Sequence, residues 1–324
     1  MEALPIGLLL FLLQDVQPGA EPATTSQASV PLPPRAYSVG AAFDARRERL
    51  VVFGGKRPGP GYVGATWEHG KDGWREVATD GPSPRNSPTM AYDEGRGVTV
   101  LFGGDDARGA RGDTWEWNGR AWRSVAAAGA GPLARTNARL AYDAKRGAVV
   151  LHGGFAGTRV FGDAWQWDGS SWTLVVEDGP ARFVHGFTVT DAGWLVFGGS
   201  DQPPRSTPPP PNGETWIARD GAWTLWNGEG PGARDHITLA YDPLRRRALF
   251  HGGFLDGQPS SETWEWDGAR WSRLAVKESP GVRGYPALVF DSSAKRLLLY
   301  GGFDSSGPKN DLWAWNGSDW LRVE

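Results

Sequence analysis

From residue 35 onward, apolar residues come in short runs separated by turn chemistry. Residues 132–175 show the local logic. The stretch RTNARLAYD, ending at Asp143, predicts a first strand, and AKRG predicts a turn in which Gly147 can take positive φ. The continuously apolar AVVLHGG predicts a second strand covered on both faces. After a variable loop, DAWQW alternates large residues as a third strand would. The Asp-Gly of DGSS favours a tight hairpin, and WTLV follows as a fourth strand. The unit is an antiparallel meander of four short strands with nothing helical in it.

This unit recurs. A Gly pair closes an apolar run at Gly54–Gly55, Gly103–Gly104, Gly153–Gly154, Gly198–Gly199, Gly252–Gly253 and Gly301–Gly302. Upstream of each stands an Arg: Arg35, Arg85, Arg135, Arg182, Arg234 and Arg283. Downstream comes a Trp at Trp67, Trp115, Trp165, Trp216, Trp264 and Trp313, then a second at Trp74, Trp122, Trp172, Trp223, Trp271 and Trp320. With Trp117, Trp167, Trp266 and Trp315 added, only Trp194 and Trp226 of the 18 tryptophans fall off the pattern. A lone meander exposes two edges and cannot bury both faces. Stacking the units radially covers the faces, and Trp is large enough to fill the wedge between them. The expectation is an all-β, six-bladed propeller with four antiparallel strands per blade, the blades covering about 35–77, 82–125, 132–175, 180–226, 231–274 and 280–323.

Composition narrows the chemistry. There is no Cys, hence no disulfide, thiolate metal site or cysteine nucleophile. A balance of 34 basic against 37 acidic residues argues against a nucleic-acid partner. The apolar run Leu4–Leu13 has the length of a signal-peptide core and is too short to cross a bilayer, although no Lys or Arg precedes it. Residues 1–20 are therefore read as a signal peptide, placing the protein in the periplasm, at the cell surface or outside the cell, the alternative being the cytoplasm, and 21–34 as a Pro/Ser/Thr-rich linker. No other segment is apolar for long enough to be a transmembrane helix. A monomer is expected.

Arg before an apolar strand closed by Gly-Gly, an aromatic on strand three and Trp opening strand four resembles the Kelch repeat. The likeness covers residues 35–323. The Trp-x-Trp of strand three and the Tyr-Asp closing strand one (Tyr92–Asp93, Tyr142–Asp143, Tyr241–Asp242) are similar to those of secreted bacterial Kelch-type proteins. That family holds protein-interaction platforms, sugar-binding modules, sugar mutarotases and copper oxidases of the galactose oxidase type, so fold alone does not give function. Galactose oxidase chemistry needs a Cys joined to a Tyr, and the chain has no Cys. No cofactor and no metal site is expected, since no His pair has ligand spacing.

A residue present in every unit is explained by the unit. Arg85, Arg135, Arg182, Arg234 and Arg283 are thus structural, with Asp113, Asp163, Glu214, Glu262 and Asp311 as natural partners for a planar guanidinium; the alternative is a positive ring that draws an anion to the channel. Trp115, Trp165, Trp216, Trp264 and Trp313 are structural as well. The resemblance implies that the loops after strand two share one face with those entering strand one, and that ligands bind there. Candidate ligand contacts following each Arg are Tyr37, Asn86, Thr136, Asn137, Phe183, His185, Asp235, His236 and Tyr285. Asp235, His236 and His185 are the candidates for catalysis, a His near a carboxylate being able to act as a general base. Adjacent strand residues point to opposite faces, however, so Asp235 and His236 need not converge. His152 and His251 replace the Phe or Tyr before other Gly pairs, a sign of packing. The Pro-rich loop at 203–212 is either a solvated insertion or a docking segment. The expected function is non-catalytic recognition of a protein or carbohydrate; a mutarotase- or epimerase-like enzyme using the channel mouth is the alternative.

Overall fold

The meander expected from the sequence is present in six copies. In the computed structural model, residues 31–203 and 210–324 are described. The segment read as a signal peptide, most of the linker, and residues 204–209 of the Pro-rich loop lie outside them. The described residues contain no helix. Sheet one is formed by Gly40–Asp44, Arg49–Phe53, Thr66–Gly70 and Gly73–Ala78. Sheet two uses Thr89–Asp93, Val98–Phe102, Thr114–Trp117 and Trp122–Ala126. Sheet three uses Arg139–Asp143, Ala148–His152, Ala164–Trp167 and Trp172–Val176. Sheet four uses Gly186–Thr190, Gly193–Phe197, Thr215–Arg219 and Ala222–Trp226. Sheet five uses Ala240–Asp242, Arg247–His251, Thr263–Trp266 and Trp271–Leu274. Sheet six uses Ala287–Asp291, Arg296–Asp304, Gly307–Trp315 and Trp320–Arg322. In each, strands pair antiparallel in chain order.

The core lies between sheets rather than within them. Six apolar clusters each join two sheets: one with two, two with three, three with four, four with five, five with six, and six with one. First strands touch in the same order, that of sheet six touching that of sheet one. The second strands supply the clusters with fully buried residues such as Val51, Val100, Val150, Val196, Leu249 and Leu298, which accounts for their unbroken apolar runs.

Tryptophans wedge these interfaces and are tied by their indole N–H groups. Nε1 of Trp122, Trp172, Trp271 and Trp320 donates to Oγ1 of Thr66, Thr114, Thr215 and Thr263 of the preceding sheet, at 2.7, 2.8, 2.9 and 3.0 Å. Where that Thr is replaced by Leu312 or Ala164, the corresponding Nε1 of Trp74 or Trp223 is buried without a partner. The two off-pattern tryptophans also have packing roles. Trp194 opens strand two of sheet four directly opposite Ala218, where Val149 and Ala248 of other sheets face Trp167 and Trp266. Large and small have exchanged strands, so the volume is kept. Trp226 packs edge-on against Trp266 and donates to the Ala269 carbonyl.

Burying a Trp removes roughly 150–250 Å² from water, worth roughly 4–6 kcal/mol as an upper estimate. Trp172→Ala is expected to lower stability by about 3–5 kcal/mol, read as a fall in the urea midpoint; an unchanged midpoint would contradict the wedge role. Conversely, Ala164→Thr gives Trp223 the acceptor present elsewhere. It should raise stability by about 0.5–1.5 kcal/mol, and a thermal scan showing destabilisation would refute that account.

Candidate functional site

Five repeat arginines are buried ion-pair centres. Arg85 meets both oxygens of Asp113 at 2.7 and 2.9 Å, Arg135 meets Asp163 at 2.5 and 3.0 Å, and Arg283 meets Asp311 at 3.0 and 3.1 Å. Arg234 pairs with Glu262 at 2.9 Å, and Arg182 pairs with Glu214. Each carboxylate also accepts the indole N–H of the Trp two residues on, at Trp115, Trp165, Trp216, Trp264 and Trp313. Burial alone would raise the carboxyls of Asp113, Asp163 and Asp311; the guanidinium and indole donors outweigh it and hold them below the ordinary range. These arginines are neutralised, so they do not form the free positive ring weighed as an alternative.

Sheet one departs from the pattern. Arg35 is exposed, and the position aligned with the buried arginines is Ala36, one residue later. The acidic position is Ala65, and Trp67 Nε1 is buried without a partner. Arginine and carboxylate are lost together, because either alone would be a buried unpaired charge.

The main-chain carbonyl of each buried Arg reaches the preceding sheet. It accepts the N–H of the second Gly in the pair, at 2.8 Å from Gly55 to Arg85 and 3.1 Å from Gly104 to Arg135. A Cβ on Gly103 would lie 2.6 Å from the Arg135 oxygen, so a side chain is excluded there. Two residues after the aligned position, the backbone turns left-handed in all six copies: Ser38, Ser87, Asn137, Val184, His236 and Tyr285 have φ of 57, 48, 54, 50, 53 and 57°. These residues are bonded to one another, from Ser87 N to Ser38 O, His236 N to Val184 O and Tyr285 N to His236 O. Five of the six loops are thereby joined in two groups, Ser38 with Ser87 and Val184 with His236 and Tyr285.

The candidate contacts divide on inspection. Tyr37, Tyr285, His236, Phe254 and Phe303 form an aromatic group. Tyr37 is 5.3 Å from both Tyr285 and Phe303, and His236 is 4.0 Å from Tyr285 and 5.4 Å from Phe254. Asp235 and His236 do converge, with Nδ1 2.7 Å from Oδ1, because the left-handed turn at His236 abolishes strand alternation. Asn86 Nδ2 and Thr136 Oγ1 both bond Asp105 Oδ1, at 3.2 and 2.8 Å. Asn137 is half-buried, whereas Thr136, Phe183 and His185 are buried.

His185 is far from an open mouth. Its Nε2 is 3.0 Å from His152 Nδ1, while His152 Nε2 and His185 Nδ1 have no partner. Burial lowers both, His152 down to about 3 and His185 well below the ordinary value. His251 is held neutral between Thr263 Oγ1 and the Gly281 carbonyl, both at 2.9 Å, and burial lowers it to about 4. All three histidines are fully buried and so closed to a ligand. Among the described residues, no group of three His, Asp or Glu side chains is placed to hold a metal.

One hollow lies among the loops and another runs along the first strands. One of about 500 Å³ lies on the candidate face between Tyr37, Phe303 and the cations Arg35, Lys56 and Arg57. The other, of about 460 Å³, is lined by first-strand residues of all six sheets and by the turns that follow them. None of the nine candidate contacts lines it; the sequence reading passed over its one embedded cation, Arg139.

The buried histidines set a pH dependence. Unfolded, each titrates near its ordinary value of about 6.5; folded, each resists protonation. Their contribution is complete above about pH 6.5 and is lost as pH falls toward about 3 for His152 and about 4 for His251. The urea midpoint should decline between pH 7 and 5, before the carboxylates titrate. The double variant His152→Phe, His185→Ala, which copies Phe102 and Ala138 of the neighbouring interface, should flatten that decline; a wild-type midpoint constant over this range would contradict the assignment. Compared with known proteins, the chain matches no family model and no curated protein.

Proposed function

We propose that the six sheets are the blades of a closed, six-bladed propeller of the Kelch type, and that the chain is a non-catalytic binding or scaffold protein recognising a protein or carbohydrate with the loops entering strand one. Support for the ring comes from the order of contacts, with sheet six packed on sheet one through Trp74, Tyr300 and Leu312. The observation that carries the function is the contrast at the left-handed positions. The surrounding backbone is the same six times, yet the side chains it carries are Ser, Ser, Asn, Val, His and Tyr, of which Ser38, Asn137, His236 and Tyr285 are partly exposed. Such a surface is asymmetric where the scaffold is symmetric.

Tyr37, His236, Tyr285 and Phe303 offer ring faces and edges for a sugar or an aromatic peptide side chain. Arg35, Lys56 and Arg57 stand beside them with no ion pair among the described residues. Asp235 and His236 are the single observation favouring an enzyme, since they form an acid–base pair at 2.7 Å. Catalysis requires a further group positioned against the reacting atoms, and the pair faces Tyr285 and Phe254 instead.

A glycan array run beside an anomer-exchange assay separates the two. Binding without turnover is expected, with Tyr285→Ala weakening it by roughly tenfold or more. Accelerated anomer exchange that His236→Ala abolishes would overturn the non-catalytic reading.

A further inference from the structure

Two residues after each left-handed turn stands an aligned position at or just before the start of strand one; five of its six occupants are small, namely Gly40, Thr89, Gly186, Thr238 and Ala287, and all of these but Gly186 line the 460 Å³ cavity. The sixth is Arg139. Its guanidinium is held across to the neighbouring sheets, with Nε donating to the His185 carbonyl at 2.8 Å and Nη2 to the Ile237 carbonyl at 3.1 Å. Nη1 has only a long contact, 3.4 Å, to the carbonyl of Ala138 beside it. Five N–H groups are available on a guanidinium, so one on each terminal nitrogen is left over. No carboxylate pairs with Arg139 among the described residues, in contrast to the five buried repeat arginines. Burial lowers its pKa to about 10, and it remains a cation at neutral pH.

Apolar side chains such as Val39, Met90, Leu140 and Phe187 share the cavity lining with polar ones such as Thr188 and Tyr142. Charges at its outer end cancel locally. Asp143 meets Arg146 at 3.3 Å, Asp191 meets Arg246 at 2.8 Å, and Lys145 Nζ sits on the Asp191 carbonyl with Glu94 also on the rim. An unneutralised guanidinium held in place beside these apolar side chains is complementary to one negative charge carried on an apolar body.

We propose that Arg139 anchors a carboxylate-bearing small molecule inside this cavity, at the end of the first strands that adjoins the left-handed turns. A carboxylate matches the planar fork and its single charge; a phosphate dianion would leave a charge buried without a partner. Tyr37, His236 and Tyr285 do not line this cavity, so the proposal does not rest on the recognition surface described above.

The test uses the full chain and 4-bromobenzoate, whose bromine is located by anomalous diffraction. Bromine is expected within the cavity, with the carboxylate on Arg139. By titration calorimetry, Arg139→Met should weaken binding by roughly 10–100-fold, and Arg139→Lys should lose less. Inorganic phosphate should not compete. Absence of bromine from the cavity at saturating 4-bromobenzoate would overturn the proposal, as would an Arg139→Met variant of undiminished affinity or displacement by phosphate. The bromine position needs no variant, so it decides the matter even if Arg139→Met does not fold.

Discussion

The buried guanidinium entering five of the six sheets is the constraint from which the rest follows. In sheets two, three and six its Nη1 donates to the first carbonyl of the Gly pair while both terminal nitrogens hold the carboxylate ahead of strand three. That carboxylate in turn holds an indole. One residue thereby ties the start of strand one to the end of strand two and the start of strand three, and its own carbonyl reaches the sheet before it. A buried ion pair of this kind adds little net stability over well-packed apolar residues, because desolvation offsets attraction. Its effect is on geometry: any other path for the loop leaves a charge in the interior unpaired. Sheet one, with Ala36 and Ala65, shows that packing alone can take the same path when both charges are absent together.

A second layer of arginines at the far end of the strands works similarly. Arg47 joins Asp44 to Glu68, and Arg96 joins Asp93 to Glu116, at 2.5–2.8 Å. Glu68 and Glu116 accept the indole N–H of Trp117 and Trp167 from the following sheet. Polar ties therefore cross the sheet boundaries at both ends of the strands, and the apolar clusters fill the space between.

The strands, their order and the five Arg–acid pairs were legible in the sequence because each is dictated by short-range chemistry repeated at a fixed spacing. Reading Arg35 as a sixth member was wrong by one residue, and the signal was available: Ala65 stands where a carboxylate precedes the other tryptophans. Trp194 could likewise have been placed from Ala218, which vacates a Trp position. The convergence of Asp235 with His236 was not legible, since nothing local forces a His into left-handed backbone. Its neighbours do, through bonds that only the assembled sheets provide. Arg139 looked like an ordinary strand residue; only alignment of the six first positions shows it to be alone among small ones. The fate of His152 and His251 was readable, because imidazole has nearly the shape of the aromatic rings it replaces.

The six left-handed residues have one further implication. Their main-chain path is held by amide and carbonyl groups belonging to other residues, so it does not depend on what each side chain is. Serine, asparagine, valine, histidine and tyrosine already occupy it within this one molecule. The molecule is in effect its own mutational library: the chemical lettering of that mouth can be rewritten position by position while the framework beneath stays as it is.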